Sequence, residues 1–259
     1  LLLNMFFGPV VNAARGIAVQ AQTAIGQFSN NFQTALNPQI TKSYATGDRE
    51  YMHSLIFRSA KFSFFLLLFL SLPVLIETKA ILTLWLKIVP DHTVVFLRIM
   101  LCTTWVYAIS NPLITAASAT GKIKFYQSVV GGLLLLILPI SYLCLRLGLP
   151  AYSVFIVHLG MEITAQFARL WMLRRMIRLS LREYFTKVIW RISKVTIIAL
   201  AAPLAVAYWL PGEGIWNLLT ICLICAISTS MSVYWFGLTS GEKIYISSRV
   251  SSIVSKFRI

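Results

Sequence analysis

Long apolar runs separated by short polar turns dominate the hydrophobic pattern of this chain. Two examples are FSFFLLLFLSLPVLI and VTIIALAAPLAVAYWL, which do not alternate as the strands of a β-barrel would. Such runs approach the roughly 20 residues that an α-helix needs to cross a bilayer. The pattern therefore predicts an all-α polytopic transmembrane helix bundle, with seven complete spans at about 13–37, 60–86, 93–117, 124–147, 151–173, 189–210 and 215–236.

The segments around these spans complete the predicted organisation. Residues 1–12 are expected to hold the end of a preceding span and a turn at Gly8-Pro9, as in the C-terminal half of a longer protein. The rest divides into a five-span core at 13–173, a basic amphipathic segment at 174–188, two last spans at 189–236 and a basic tail at 237–259. The second span has an alternative end, because Glu77 and Lys79 follow its apolar run and AILTLWL can instead lie along the membrane interface.

The distribution of charge orients these spans. The formal net charge is +15, yet only 12% of the residues are charged, about half of what is usual in a soluble domain. When the spans are placed in alternating directions, most of the 23 Lys and Arg residues fall on one face. The positive-inside rule makes this face cytoplasmic, with the C-terminus inside and the turn at residue 8 in the periplasm. The same asymmetry accounts for the positive charge without a nucleic-acid partner.

The densest basic cluster is RRMIRLSLREYFTKVIWRISK, residues 174–194. Basic residues interspersed with aromatic and aliphatic ones are typical of an interfacial helix. We predict that this segment contacts the headgroups of anionic membrane lipids on the cytoplasmic side. A specific protein partner is the alternative.

A polar sector runs through the first complete span, whose sequence is GIAVQAQTAIGQFSNNFQTALNP. On a helical wheel its apolar residues fill one sector. The polar side chains form two further sectors, one with Gln20, Thr23, Gln27, Asn30, Asn31 and Thr34 and one beside it with Arg15, Gln22, Ser29 and Gln33. Unpaired amides in hydrocarbon are costly, so these side chains must bond to neighbouring helices or line a water-filled cavity. The number of amides favours the cavity, and the candidate path residues here are Arg15, Gln20, Gln27, Asn30, Asn31 and Thr34.

Two later spans also carry polar residues at helical spacing. One face of TTWVYAISNPLITAAS presents four further path candidates, Thr104, Tyr107, Asn111 and Thr115. One face of FIVHLGMEITAQFARL presents four residues for a possible coupling role, His158, Glu162, Gln166 and Arg169. A carboxylate within a span is expected to face the protein interior. Glu162 is therefore either a titrating group or cation ligand coupled to transport, or a structural partner of Arg169.

No arrangement typical of an enzyme or a metal site emerges from the sequence. The three histidines fall in separate parts of the predicted topology, and no glycine-rich phosphate loop is present. Cys222 and Cys225 lie in the apolar run NLLTICLICAIS, so they are predicted to be small buried hydrophobes. We predict a protein that is not an enzyme and that uses no cofactor or metal.

One stretch, FFGPVVNAARGIAVQAQTAIGQFSNNFQTALNPQITKSYATGD, carries a family resemblance. It resembles the seventh-to-eighth helix region of bacterial oligosaccharide flippases, the Wzx-like polysaccharide biosynthesis transporters of the MATE-like multidrug/oligosaccharidyl-lipid/polysaccharide exporter superfamily. The shared pattern, L-x-P-x-I-x-x-x-Y-A-x-G-D, falls here on Leu36, Pro38, Ile40, Tyr44, Ala45, Gly47 and Asp48. MHSLIFRSAKFSFFLLLFLSLP and ASATGKIKFYQS also look like segments of this family.

The resemblance implies both an architecture and an activity. The chain would be the C-terminal lobe of a two-lobed transporter of the bacterial inner membrane, working by alternating access. Its substrate would be an undecaprenyl-pyrophosphate-linked oligosaccharide for O-antigen, lipopolysaccharide or other surface polysaccharide, with the polar sector on the glycan and Arg15 near the pyrophosphate. Other polysaccharide-assembly membrane proteins are possible partners. The alternatives are a cation-coupled multidrug or small-molecule exporter of the same superfamily and, less favoured, a membrane polysaccharide polymerase or ligase.

Overall fold

Helices form every regular element in the computed structural model, which describes residues 2–209 and 214–243. In chain order they are α1 (Leu2–Ala45), α2 (Arg49–Ile76), α3 (Thr78–Leu86), α4 (Thr93–Ala119), α5 (Ile123–Leu135), α6 (Ile137–Arg146), α7 (Ser153–Met176), α8 (Leu181–Tyr184), α9 (Trp190–Trp209) and α10 (Ile215–Ser232). π-Helical turns follow α8 at Phe185–Ile189 and α10 at Val233–Gly237. The all-α prediction is confirmed for these residues, while residues 244–259 of the predicted tail lie outside them.

Six helical stretches in the described part of the chain are long and apolar enough to cross a membrane. They are Leu2–Ala45, Arg49–Ile76, Thr93–Ala119, Ile123–Arg146, Leu181–Trp209 and Ile215–Gly237. By this measure the chain is a multi-pass helical membrane protein. The remaining long helix, α7, has 24 residues but is not in this set, because its polar side chains lower its hydropathy. The count of seven spans therefore stays a prediction.

A break at Gly8 divides α1 where the sequence predicts a turn. Gly8 has φ 80° and ψ −177°, a backbone conformation that L-residues with a side chain rarely adopt. Pro9 follows, with no N–H to continue the hydrogen-bond ladder. Helical geometry then continues to Ala45, so the polar helix extends beyond the predicted residues 13–37.

The helix at the predicted span 60–86 has other ends than that prediction. α2 begins at Arg49, where the Asp48 side chain accepts a hydrogen bond from the Tyr51 backbone N–H at 3.0 Å. It ends at Ile76, and Arg98 from α4 donates to the last carbonyls of the helix, those of Leu75 and Ile76. The residues that follow form the separate nine-residue helix α3, in keeping with the alternative end of this span.

The later spans also differ in detail from the prediction. The helix predicted at 124–147 divides at Leu136 into α5 and α6, because Pro139 has no N–H to donate to the Leu135 carbonyl. The predicted segment 174–188 does not form a helix of its own. α7 ends at Met176, and helical structure resumes at Leu181 and continues through the π-helical turn to Trp209.

Two apolar clusters hold the helices together. The larger one joins α2, α4, α5 and α7 to the last three helices, and includes Leu68, Leu173 and the buried Cys225. The smaller one joins the first half of α1 to α3, α4 and the start of α7, around Ala18 and Leu97. α1 packs on α4 and α2, and α4 also packs on α7. The polar faces of α1, α4 and α7 are therefore brought into one part of the bundle.

Candidate functional site

Hydrogen bonds between side chains join α1 to α4 along the length of their contact. Gln22 Nε2 donates to Thr104 Oγ1 at 2.8 Å, near one end. At the other end Thr115 Oγ1 donates to Asn37 Oδ1 at 3.1 Å. Gly26 lies at the same contact, where a Cβ would be 3.6 Å from the Thr104 methyl group, an ordinary van der Waals distance. These polar side chains are therefore part of the helix–helix packing.

Gln33 is the centre of this α1–α4 contact. Its side chain is fully buried, its Nε2 donates to the Ala108 carbonyl at 2.6 Å, and its Oε1 accepts a hydrogen bond from Asn111 Nδ2. Asn111 precedes the buried Pro112, within a helix that continues to Ala119. Gln33 thus provides hydrogen-bond partners for the Ala108 carbonyl and the Asn111 amide, which lipid chains could not provide.

A second set of polar residues on α1 has no such contact with α4. These side chains are exposed, and at 3.6 residues per turn they fall within a sector of about 100°; we call them the polar stripe, consisting of Gln20, Gln27, Asn30, Asn31 and Thr34. Gln27 Nε2 donates to Asn31 Oδ1 at 2.8 Å, and Thr34 Oγ1 donates to the Asn30 carbonyl. Among residues 2–209 and 214–243, the side-chain hydrogen bonds of the polar stripe therefore stay within α1.

The predicted path residues therefore fall into two groups, one that bonds to a neighbouring helix and one that is exposed. Thr104, Asn111 and Thr115 lie at the α1–α4 contact, where each bonds to a polar side chain of α1. Arg15 and Tyr107 are exposed, like the polar stripe. Packing between helices explains the first group, and it leaves the second group without a structural role in the described part of the chain.

Replacing Gln33 by leucine should test the packing role directly. Q33L leaves the Ala108 carbonyl and the Asn111 amide without their partner, so we expect a loss of about 1–2 kcal/mol of folding free energy. Reversible unfolding in mixed detergent micelles measures this. The control is Q27L on the exposed face, for which less than about 0.5 kcal/mol is expected. Equal losses in the two variants would contradict the division of the amides.

A buried polar network surrounds the charged residues of α7. Glu162 Oε2 accepts a hydrogen bond from Arg169 Nη1 at 3.0 Å, and these side chains are 9% and 2% exposed. Arg169 Nη1 also donates to Ser110 Oγ on α4, and Ser110 Oγ donates to Gln166 Oε1 at 2.6 Å. Tyr184 of α8 donates from its hydroxyl to the Ile109 carbonyl. The network therefore ties α7 to α4 and α8 in the interior.

Three of the four predicted coupling residues belong to this network. Glu162, Gln166 and Arg169 are buried together, whereas His158, one turn before Glu162, is exposed. The Glu162–Arg169 pair has the geometry of the structural alternative, which the sequence had left open. Within residues 2–209 and 214–243, no three His, Cys, Asp or Glu side chains group closely enough to hold a metal ion.

A second buried ion pair was not found by sequence reasoning. Lys61 Nζ of α2 donates to both carboxylate oxygens of Glu242, at 2.9 Å and 2.6 Å. Glu242 also accepts from the Thr239 backbone N–H at 2.8 Å, while its own N–H donates to Thr239 Oγ1. This reciprocal pair is a capping box, and its sequence signal is T-S-G-E at 239–242. The signal shows a helix start but does not indicate Lys61 as a partner.

Two concave surfaces adjoin each other at this ion pair. A pocket of about 440 Å³ is lined by charged groups of α2, Glu183, Lys187 and Glu242. A groove of about 910 Å³ between α1, α2 and the end of α10 is lined mainly by aromatic and aliphatic side chains. Arg58 and Glu242 line both surfaces. A charged region is therefore continuous with an apolar one.

No protein family, curated protein or solved structure matches the chain. The resemblance to Wzx-like flippases therefore stays a prediction, supported by the sequence motifs alone.

Proposed function

We propose that this chain forms the C-terminal lobe of a bacterial inner-membrane flippase for undecaprenyl-pyrophosphate-linked oligosaccharides. The observation that carries the proposal is the polar stripe on α1, exposed on a helix long and apolar enough to span the membrane. Lipid cannot satisfy these amides, so this face is suited to water, a polar ligand or a second lobe.

Neutral amides favour a sugar over an ion as the transported group. The polar stripe offers both donors and acceptors from Gln20, Gln27, Asn30 and Asn31, which match the hydroxyl groups of a glycan. Its hydroxyl and amide groups carry no formal charge, so they do not neutralise the charge of a bound cation as a carboxylate would. The proposed role of the stripe is to replace the hydration of the glycan as it crosses the bilayer.

The polyprenyl chain and the pyrophosphate of the lipid-linked substrate have candidate contacts as well. The apolar groove is lined by Phe32 and Leu36 of α1 and by Phe62 and Phe65 of α2, a surface suited to a polyprenyl chain. Arg58, at its charged edge, offers a guanidinium group to a phosphate, as does the exposed Arg15. These contacts support an amphiphilic substrate.

The proposed topology has seven complete spans, with α7 as the additional one and the C-terminus in the cytoplasm. A length of 24 residues suffices to cross the bilayer, and burial of Glu162 and Arg169 against α4 keeps the polar groups of α7 away from lipid. The α1–α4 hydrogen bonds would let these helices move as one unit during alternating access.

A cation-coupled exporter is the second candidate, and the buried carboxylate of Glu162 favours it. In that mechanism Glu162 would bind a proton or a cation. Its pairing with Arg169 already balances its charge, which supports a structural role. Normal transport by Glu162→Gln across a range of pH would remove Glu162 from any coupling role.

The test is glycan translocation in proteoliposomes containing the chain together with the N-terminal lobe that the resemblance implies. A membrane-impermeant glycosidase reports glycan that has crossed the bilayer. We expect Q27L/N31L to lower the translocation rate at least about tenfold, which corresponds to roughly 1.4 kcal/mol in the barrier. The matched control is A24L/A35L, which places two leucines at exposed positions of the same helix outside the polar stripe.

The translocation rates of the two variants together test whether the polar stripe is the glycan path. A loss confined to Q27L/N31L, with both proteins folded and inserted, supports the polar stripe as the glycan path. Unchanged translocation by Q27L/N31L would exclude it from the path. No translocation by the unmodified protein, under gradients of H⁺ or Na⁺, would contradict the proposed function.

A further inference from the structure

The turn between α7 and α8 presents a concentration of exposed arginines. The four are Arg174, Arg175, Arg178 and Arg182. None of them pairs with a carboxylate within residues 2–209 and 214–243, where the ion pairs are Lys61–Glu242, Glu162–Arg169 and Glu183–Lys187. The carboxylate nearest in sequence, that of Glu183, is held by Lys187 at 2.5 Å. The guanidinium groups are therefore available to an external anion.

The turn is a fixed part of the fold. Ile177 and Leu179 are each 1% exposed and belong to the larger apolar cluster. Both of their backbone N–H groups donate to the Leu173 carbonyl, and the Ile177 carbonyl lies 3.1 Å from His53 Nε2. Between them Arg178 has a φ of 56°, uncommon for a residue other than glycine. The arginines are thus held on a defined platform.

Aromatic side chains on both sides of the turn indicate the depth of this platform. The Arg175 guanidinium lies 4.4 Å from the centre of the Trp171 ring, and Lys194 Nζ lies 4.8 Å from that of Trp190. These tryptophans are 50% and 53% exposed. Exposed tryptophans next to basic residues are typical of the headgroup level of a membrane. Two such pairs, on the helices that enter and leave the turn, place it at that level.

We propose that the α7–α8 turn is a binding site for the headgroup phosphates of anionic membrane lipids. Planar guanidinium groups bind phosphate oxygens through paired hydrogen bonds, and basic residues near a membrane surface attract anionic lipids. Because the arginines are held by a rigid turn, binding is saturable and confined to this site. The site is independent of the transported substrate and does not rest on the proposed function.

The experiment measures lipid binding to the purified chain by native mass spectrometry. Delipidated protein is titrated with cardiolipin or phosphatidylglycerol in competition with phosphatidylcholine. From the contribution of basic residues near a membrane surface, R174Q/R175Q/R178Q/R182Q is expected to weaken binding of the anionic lipids about tenfold or more. The matched control, K42Q/R49Q/K122Q/K124Q, removes the same charge from other exposed positions and should change binding less than about twofold.

Lipid binding by the two fourfold variants distinguishes a defined site from diffuse electrostatic attraction. Loss of binding in the arginine variant alone supports a defined site, whereas equal losses in the two variants would show diffuse attraction and overturn it. Displacement of the lipid by inorganic phosphate would assign the site to free anions and overturn the lipid assignment. If the fourfold variant does not fold, R174Q/R175Q and R178Q/R182Q replace it, each with an expected loss of about threefold. Unchanged binding in both of these would also overturn the proposal.

Discussion

Replacing Arg169 by methionine is expected to destabilise the folded protein by about 3–5 kcal/mol. The variant leaves the carboxylate of Glu162 in the interior without its partner at 3.0 Å. It also removes the donor to Ser110, which joins α7 to α4. Removing one member of a buried ion pair costs much more than the pair contributes, because an uncompensated charge remains.

A double-mutant cycle separates that penalty from other effects of the substitution. Glu162→Gln combined with Arg169→Met removes both charges, so the double variant should recover most of the stability that Arg169→Met loses. Reversible unfolding in mixed micelles measures each variant. The matched control is Glu183→Gln with Lys187→Met, which removes the exposed pair and should leave stability unchanged within error. Additive losses for Glu162 and Arg169 would contradict direct pairing.

Replacing Glu242 by glutamine is expected to cost about 2–3 kcal/mol of folding free energy. Lys61 is 3% exposed within α2, and both of its short hydrogen bonds end on this carboxylate. The cost is smaller than for Arg169, because the Glu242 side chain is 11% exposed and admits some water. Lys61→Met with Glu242→Gln should again recover most of the loss.

The pH dependence of stability gives an independent check on this ion pair. Burial raises the pKa of the Glu242 carboxyl, but hydrogen bonds from Lys61 and from the Thr239 backbone outweigh burial and hold this pKa below its ordinary value. The carboxylate therefore stabilises the fold at pH values above the ordinary range of Glu, and its contribution is lost as the pH falls through the lowered pKa. The unmodified protein should lose stability below about pH 4.5. The difference in the free energy of unfolding between it and the Glu242→Gln variant should shrink in the same range. A difference that stays constant down to pH 3 would contradict this.

Helical periodicity correctly grouped several polar residues from sequence alone. Glu162, Gln166 and Arg169 recur on one face of a helix, and the structure buries all three together. Periodicity also placed Gln27 and Gln33 in different sectors of α1, but it did not indicate which of these sectors packs on another helix. Gln27 and Gln33 are both glutamines of one span, yet one is exposed and the other fully buried. Their roles depend on where α4 lies around α1.

The ion pair between Lys61 and Glu242 could not be predicted from helical periodicity either, because the two residues lie on different helical segments. The two residues are separated by 181 positions in the sequence. From the sequence, Lys61 is one of many basic residues, at the start of the span predicted at 60–86, and Glu242 belongs to the predicted tail. Only the packing of α10 on α2 brings them together.

The sequence by itself determined that this protein is helical, that its helices are apolar enough to span a membrane, and that one of them carries an unusual number of amides. These properties are local, since they follow from hydropathy and from the 3.6-residue repeat. Only the tertiary structure decided which amides bond to α4, which remain exposed in the polar stripe, and which charges are paired in the interior. The physical reason is that periodicity shows which side chains share a face, whereas the rotation of each helix toward its neighbours is set by packing over the whole bundle.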